Sequence, residues 1–102
     1  MKYRYHKAAA QELEESADWY ERQSTGLGRE FINEVDHAIE RILNGPETFE
    51  LFDRELRRCP VRKYPFHILY RSNNSEIEIV CVMHTSRRPG YWWDRDTLNE
   101  SE

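Results

Sequence analysis

The sequence predicts an α+β fold in which an antiparallel helical hairpin packs on a small antiparallel sheet, in the order β-α-α-β-β-β. Apolar residues recur at spacings of three and four in the first half of the chain, and at a spacing of two in the second. Gly45-Pro46 separates the halves, because proline cannot continue a helix. A chain of 102 residues has room for one domain. We expect that domain at residues 1–97, followed by a frayed polar tail at residues 98–102.

The first half of the chain predicts a short strand and two helices. Residues 1–6 alternate in polarity, which is typical of a strand, and residues 7–23 are rich in helix formers. The apolar stripe of this first helix is Ala10, Leu13, Ala17 and Tyr20. Gly26 suits a left-handed helix end, and a second stripe follows at Leu27, Phe31, Val35, Ala38 and Ile42. Helices joined by so short a loop should pack antiparallel.

The second half predicts three strands. RRCPVRKY, residues 57–64, is expected to form a broken or edge strand, because Pro60 cannot donate to a ladder. Residues 66–71 alternate in polarity, and SNNS then marks a turn. EIEIVCVMH, residues 76–84, is apolar on both faces, with Ile77, Ile79, Cys81 and Met83 on one of them. This pattern indicates a central strand that the helices cover on at least one side.

Charge divides the chain into an acidic and a basic half. Residues 1–53 carry six Lys and Arg against twelve acids, a net charge of −6. Residues 54–95 carry nine Lys and Arg against four acids, a net charge of +5. The asymmetry suggests a polyanionic or acidic partner for the second half.

Several classes of protein are not expected. No apolar run approaches the roughly 20 residues of a membrane span, and no apolar signal-peptide core follows the first basic residues. We therefore expect a cytoplasmic protein without membrane contact. Cys59 and Cys81 lack CxxC spacing and should be reduced thiols. The four histidines are scattered, so neither a metal site nor a cofactor is expected.

The segment HTSRRPGYWWDR, residues 84–95, gathers cations and large rings. Extended neighbours point to opposite sides, so one of Trp92 and Trp93 should cap the core while the other stays available to a partner. Trp19 flanks the stripe of the first helix. Exposed aromatic side chains beside arginine have the composition of a binding hot spot. The predicted partner-binding residues are Trp19, Arg62, Lys63, Arg88, Trp92 and Trp93.

Three segments together resemble the RelE/ParE superfamily of type II toxin–antitoxin toxins, also called plasmid stabilisation proteins. They are ADWYERQSTGLGREFINEVDHAIERI, RRCPVRKYPFHILYR and VMHTSRRPGYWWDR. The resemblance implies a RelE/ParE toxin-like fold and a toxin that a cognate antitoxin neutralises in a hetero-oligomer. The long hairpin resembles ParE-like members, which act on DNA gyrase, more than RelE-like members, which cut mRNA on the ribosome.

For a RelE-like enzyme, the resemblance implies a metal-independent ribonuclease that uses Arg58, His67, Arg87 or Arg88, and Tyr91. His67 replaces an arginine of that pattern, and a second strand cation falls near Pro60. The lost cations and the net charge of −4 fit poorly with phosphate binding. A histidine, however, titrates near neutral pH and suits a general base. Gyrase inhibition is therefore the first interpretation; the alternatives are the ribonuclease and a non-toxic degenerate relative kept as a binding module.

Overall fold

The computed structural model of the protein describes residues 2–73 and 75–95, so the expected tail at residues 98–102 lies outside the described residues. The elements are β1 (Lys2–Tyr5), α1 (Lys7–Gln23), α2 (Leu27–Asn44), β2 (Leu51–Asp53), β3 (Leu56–Pro60), β4 (Phe66–Ser72) and β5 (Glu76–His84). The α+β class and the helical hairpin are confirmed. Within the described chain, neither helix has the length and apolar composition that a bilayer crossing requires.

The sheet has five strands in the order β1-β5-β4-β3-β2. Strands β2 to β5 pair antiparallel, but β1 runs parallel to β5, with Tyr5 opposite Ile79. The predicted antiparallel sheet is therefore confirmed for β2 to β5, whereas β1 differs in running parallel, since a helical crossover and not a hairpin turn joins it to the rest. For residues 57–64 the sequence predicts a broken or edge strand: the strand is broken, since β3 ends at Pro60, but it is not at the edge of the sheet. The unpredicted strand β2 covers β3, and Pro60 only ends β3.

Side chains cover both faces of the sheet. On the helical face the core is formed by residues of α2, β4 and β5, among them Phe31, Val35, Ile39, Ile42, Ile68, Tyr70, Ile77, Ile79 and Val82. On the opposite face a second buried cluster contains Leu56, Leu69, Val80, Cys81, Met83 and Trp92. The chain after β5 supplies Trp92 and thereby covers the face that the helices leave open. This double burial explains why β5 is apolar on both sides.

A β-bulge lies in the middle of β5. Leu69 of β4 pairs with Cys81 and Tyr70 pairs with Ile79, so Val80 is an extra residue in β5. Beyond the bulge, Val82 faces the helices and Cys81 faces away. The predicted alternation of β5 is therefore wrong from Cys81 onward, because one inserted residue exchanges the two faces.

The helical hairpin closes through Gly28 and Glu21. A Cβ atom at Gly28 would lie 2.6 Å from the backbone oxygen of Ala17, so only glycine allows this approach of α2 to α1. The Glu21 carboxylate accepts hydrogen bonds from the backbone N–H groups of Gly26 and Gly28, both at 3.0 Å. These two bonds lower the pKa of Glu21. Glu21 thus caps the start of α2, where Gly26 offers no side chain.

His6 caps α1 in a pH-dependent way. Its Nδ1 accepts the N–H of Ala8 at 3.0 Å. Burial, followed by the charges of Arg95 and Arg71, lowers the pKa of His6. Protonation removes the Nδ1 lone pair. The folded pKa lies below the unfolded value of about 6.5, so the stabilisation is present above that pH and is lost as pH falls through the folded pKa.

We therefore expect His6→Asn, which caps without titrating in this range, to lose less stability than wild type upon acidification. Urea unfolding of both proteins at about pH 7.5 and about pH 5 measures the difference. Other titrating groups cancel in this comparison. An equal loss in wild type and variant would show that the His6 cap does not titrate as inferred.

Candidate functional site

A groove of about 580 Å³ separates α1 from the end of β5. We call it the α1–β5 groove. Its lining residues are Glu12, Glu15, Ser16, Trp19, Tyr20, Pro65, Phe66, Val82, His84 and Arg87. Trp19 is 52% exposed, and Tyr20 packs edge-on against it with ring centroids 5.2 Å apart. Tyr20 in turn packs against Tyr64 at 4.9 Å. The exposed indole of Trp19 therefore packs against a cluster of aromatic rings. Exposed aromatic side chains of this kind are common in binding hot spots.

The outer edge of β5 forms one wall of this groove. β1 pairs with β5 only as far as Ile79. Beyond it, the backbone N–H of Val82 donates to Oε1 of Glu12 at 2.9 Å. The other carboxylate oxygen, Oε2, accepts a hydrogen bond from Nη2 of Arg95 at 2.8 Å. Glu12 thus joins α1, β5 and the end of the described chain.

Hydrogen bonds of Arg95 and Arg71 hold the C-terminal turn, residues 85–95, against the sheet. Nη1 of Arg95 donates to the Val80 oxygen at 3.0 Å, and the Arg95 oxygen accepts from Nη2 of Arg71 at 2.8 Å. Arg71 also pairs with Glu78 at 3.2 Å and Glu55 at 3.1 Å. The turn is therefore fastened to the sheet at its far end.

Asp53 of β2 holds both neighbouring indoles. Its Oδ2 accepts the N–H of Trp92 at 2.9 Å and the N–H of Trp93 at 2.6 Å. Trp92 is 3% exposed, whereas Trp93 is 55% exposed and lies beneath the guanidinium of Arg54. One ring is inside and one outside, as expected. The prediction that Trp92 belongs to a partner surface is wrong, because Phe52 and the sheet enclose its ring.

Exposed cations collect at the end of the sheet beside the groove. The backbone N–H of Thr85 donates to the Pro65 oxygen at 2.8 Å, so the turn after β5 lies next to the loop between β3 and β4. We call this region the basic end; its exposed cations are Arg62, Lys63, Arg87 and Arg88. Trp93 lies elsewhere, since its anchor Asp53 pairs with Leu56 at the other end of β3. The predicted partner-binding residues therefore form two separate surfaces.

The residues named for a ribonuclease occur as two pairs. Arg58 and His67 line one shallow pocket, where Arg58 forms an ion pair with Glu50. Arg87 instead stacks on the ring of Tyr91 with 3.7 Å between its guanidinium carbon and the ring centroid. Within the described chain no hydrogen bond, ion pair or ring contact joins the two pairs. Arg58 and His67 line this pocket, whereas Arg87 lines the α1–β5 groove.

Protonation states also bear on this chemistry. Burial, reinforced by the negative charge of Glu12, raises the pKa of Tyr91 well above its usual range, and its hydroxyl is buried. Burial and the charge of Arg58 lower the pKa of His67. His67 is therefore neutral at pH 7. The hydroxyl of Tyr91, however, is buried and cannot reach a leaving oxygen. Among the described residues, no group of three or more His, Cys, Asp or Glu side chains is placed to hold a metal ion.

Residues 3–89 match the family described as "ParE toxin of type II toxin-antitoxin system, parDE". The fold is similar to that of a solved chain of the "Chromosomal ParDE TA system from P. aeruginosa". That likeness has a TM-score of 0.72 at 15% sequence identity, and it covers 84% of this chain and 97% of the other. No curated protein sequence matches the chain. The family match spans most of the 102 residues, and it confirms the resemblance seen in the sequence: the chain belongs to the ParE toxin family of type II toxin–antitoxin systems.

Proposed function

We propose that this toxin acts by binding DNA gyrase, without chemistry of its own. The observation that carries the proposal is the buried hydroxyl of Tyr91, together with the placement of Arg58 and His67 in one pocket and of Arg87 in another. Such an arrangement lacks a joint site for a general base and a general acid. Membership of the ParE family supports gyrase as the target, because the members that this chain resembles act on it.

We further propose that a cognate antitoxin binds at the α1–β5 groove and the basic end. The similar solved chain comes from a ParDE toxin–antitoxin system, which supports a partner of this kind. The exposed ring of Trp19 offers an apolar anchor, and Arg87 and Arg88 offer positive charge nearby. A segment of mixed apolar and acidic character that folds on binding would complement both.

Size-exclusion chromatography tests the partner. The toxin and the product of the adjacent reading frame, mixed at micromolar concentration, should elute as one complex. Two separately eluting proteins would contradict a cognate pair. The test does not depend on the toxin's target, so it separates the antitoxin proposal from the gyrase proposal.

A DNA supercoiling reaction tests the target. Purified toxin should inhibit gyrase, and prior addition of the antitoxin should restore supercoiling. In a parallel translation reaction with ribosomes, mRNA should remain intact. Ribosome-dependent cleavage would instead favour the ribonuclease, and normal growth on overexpression without antitoxin would favour a non-toxic binding module.

A further inference from the structure

We propose that Trp93 and Arg54, at the other end of the sheet from the basic end, form a surface through which the toxin contacts the gyrase protein. We call this pair the β2 surface, because both residues lie beside the end of β2. The inference rests on the proposed function and assigns a contact site to it. Three features carry it: a fixed but exposed indole, an arginine in a strained loop, and the charges around them.

The indole of Trp93 is exposed and yet held in one orientation. The residue is 55% exposed, and its N–H donates to Oδ2 of Asp53 at 2.6 Å. The six-membered ring lies against Gly90, where an added Cβ atom would come within 3.3 Å of it. The guanidinium carbon of Arg54 lies 4.8 Å from the ring centroid. A ring that is already fixed in this way loses little conformational entropy when a partner covers it.

Arg54 has a backbone conformation that does not suit an arginine. Arg54 and Glu55 form the two-residue loop between β2 and β3, and the φ angle of Arg54 is 54°. Positive φ angles in such hairpin loops favour glycine or asparagine. Among residues 2–73 and 75–95 the guanidinium forms no ion pair, and it stacks on Trp93. Backbone strain of this kind is concentrated at functional positions.

The charges at the β2 surface favour a protein partner over DNA. Several cations are needed to hold a DNA backbone, because each neutralised phosphate adds its own share of the affinity. Acidic residues flank Arg54 in the chain, and one of them, Glu55, pairs with Arg71 at 3.1 Å. Leu51, on the outermost strand, is 59% exposed and adds apolar area. One unpaired cation beside an indole suits a carboxylate and an apolar side chain of a protein.

The β2 surface lies apart from the region that we propose for the antitoxin. Asp53, which holds the indole, pairs with Leu56 at the start of β3, whereas the basic end lies beyond the close of that strand. Of the three tryptophans, Trp92 is buried and Trp19 lines the α1–β5 groove. Trp93 therefore remains as an exposed anchor for the target of the toxin.

Inhibition of supercoiling by Trp93→Ala tests the assignment. The folded variant should need about tenfold or more toxin to half-inhibit purified gyrase. Tyr3→Ala is the matched control, since it removes a ring that is 41% exposed at the opposite edge of the sheet, and it should change this concentration less than about threefold. Wild-type inhibition by folded Trp93→Ala would overturn the inference. Failure of the wild-type toxin itself to inhibit gyrase would instead reject the proposed function.

Arg54→Gly separates binding from stability. Glycine accepts a positive φ without strain, so the urea midpoint of the variant should stay the same or rise. The half-inhibitory concentration should nevertheless rise by about three- to tenfold, because the cation that meets the partner is lost. A purely structural role of Arg54 predicts the reverse, a lower urea midpoint with unchanged inhibition, and that result would contradict the assignment. This variant keeps the indole, so it preserves the test if Trp93→Ala does not fold.

Direct binding identifies the class of the partner. Gyrase immobilised without DNA should bind wild-type toxin more tightly than either variant in biolayer interferometry. Equal binding of all three proteins to gyrase, with weaker binding of the variants to duplex DNA, would assign the surface to DNA and overturn the inference. A toxin dimer that sedimentation detects in wild type but not in Trp93→Ala would overturn it too, because a second copy would then occupy the surface.

Discussion

Replacement of Arg95 by alanine should lower the free energy of unfolding by about 3 kcal/mol, because the nearly buried Glu12 carboxylate loses its cation at 2.8 Å and keeps only Arg87 at 4.0 Å. The side chains of Arg95 and Glu12 are only 13% and 12% exposed. Arg95 also donates to the Val80 oxygen at the β-bulge, where the ladder with β4 is interrupted. Its loss therefore weakens β5, α1 and the C-terminal turn together.

Urea unfolding followed by circular dichroism measures this effect. Arg88→Ala is the matched control, since it removes one arginine from the exposed part of the same turn and should change stability by less than about 0.5 kcal/mol. A destabilisation by Arg95→Ala within about 1 kcal/mol of the control would show that the network does not hold the turn.

Replacement of Trp19 by alanine should weaken antitoxin binding by about 2–4 kcal/mol, or roughly 30-fold or more, as expected for an aromatic anchor at the centre of an interface. Trp19 is half exposed, so its loss should cost the free toxin little stability. Isothermal titration calorimetry with the purified antitoxin gives the affinity, and unfolding of the free variant confirms that the fold is intact.

Trp93→Ala is the control for that experiment. Trp93 is 55% exposed, close to the 52% of Trp19, but it lies against Asp53 at the other end of the sheet. Its replacement should change the affinity less than about threefold. If Trp93→Ala weakens binding more than Trp19→Ala does, the antitoxin binds near β2 and not in the α1–β5 groove.

The helices could be predicted closely from the sequence, whereas parts of the sheet could not. Helical periodicity is a local property, and Gly45 ends α2 as the sequence indicates. The bulge at Val80 depends on how β5 is paired with β4, and the parallel course of β1 depends on the crossover. Neither the bulge nor the direction of β1 can be predicted from the spacing of apolar residues along one strand.

The candidate site was predictable in composition but not in arrangement. The sequence predicted that one ring of Trp92 and Trp93 is exposed. Asp53, which orients both rings, lies 39 and 40 residues away in the chain, and no pattern in the sequence connects it with them. Glu12 was likewise missed, because its partner Val82 is 70 residues distant and is a backbone group. The residues matched to a ribonuclease came from resemblance alone, which carries no information about whether their side chains meet.

The central claim is that this toxin works through contact surfaces and transfers no proton. The double variant His67→Gln, Tyr91→Phe removes both titratable groups and nearly preserves the shape of each side chain. A ribonuclease relying on either group should lose about 10²–10⁴-fold in activity. We predict that the folded variant arrests growth and inhibits gyrase as wild type does; a folded variant that does neither would contradict the claim.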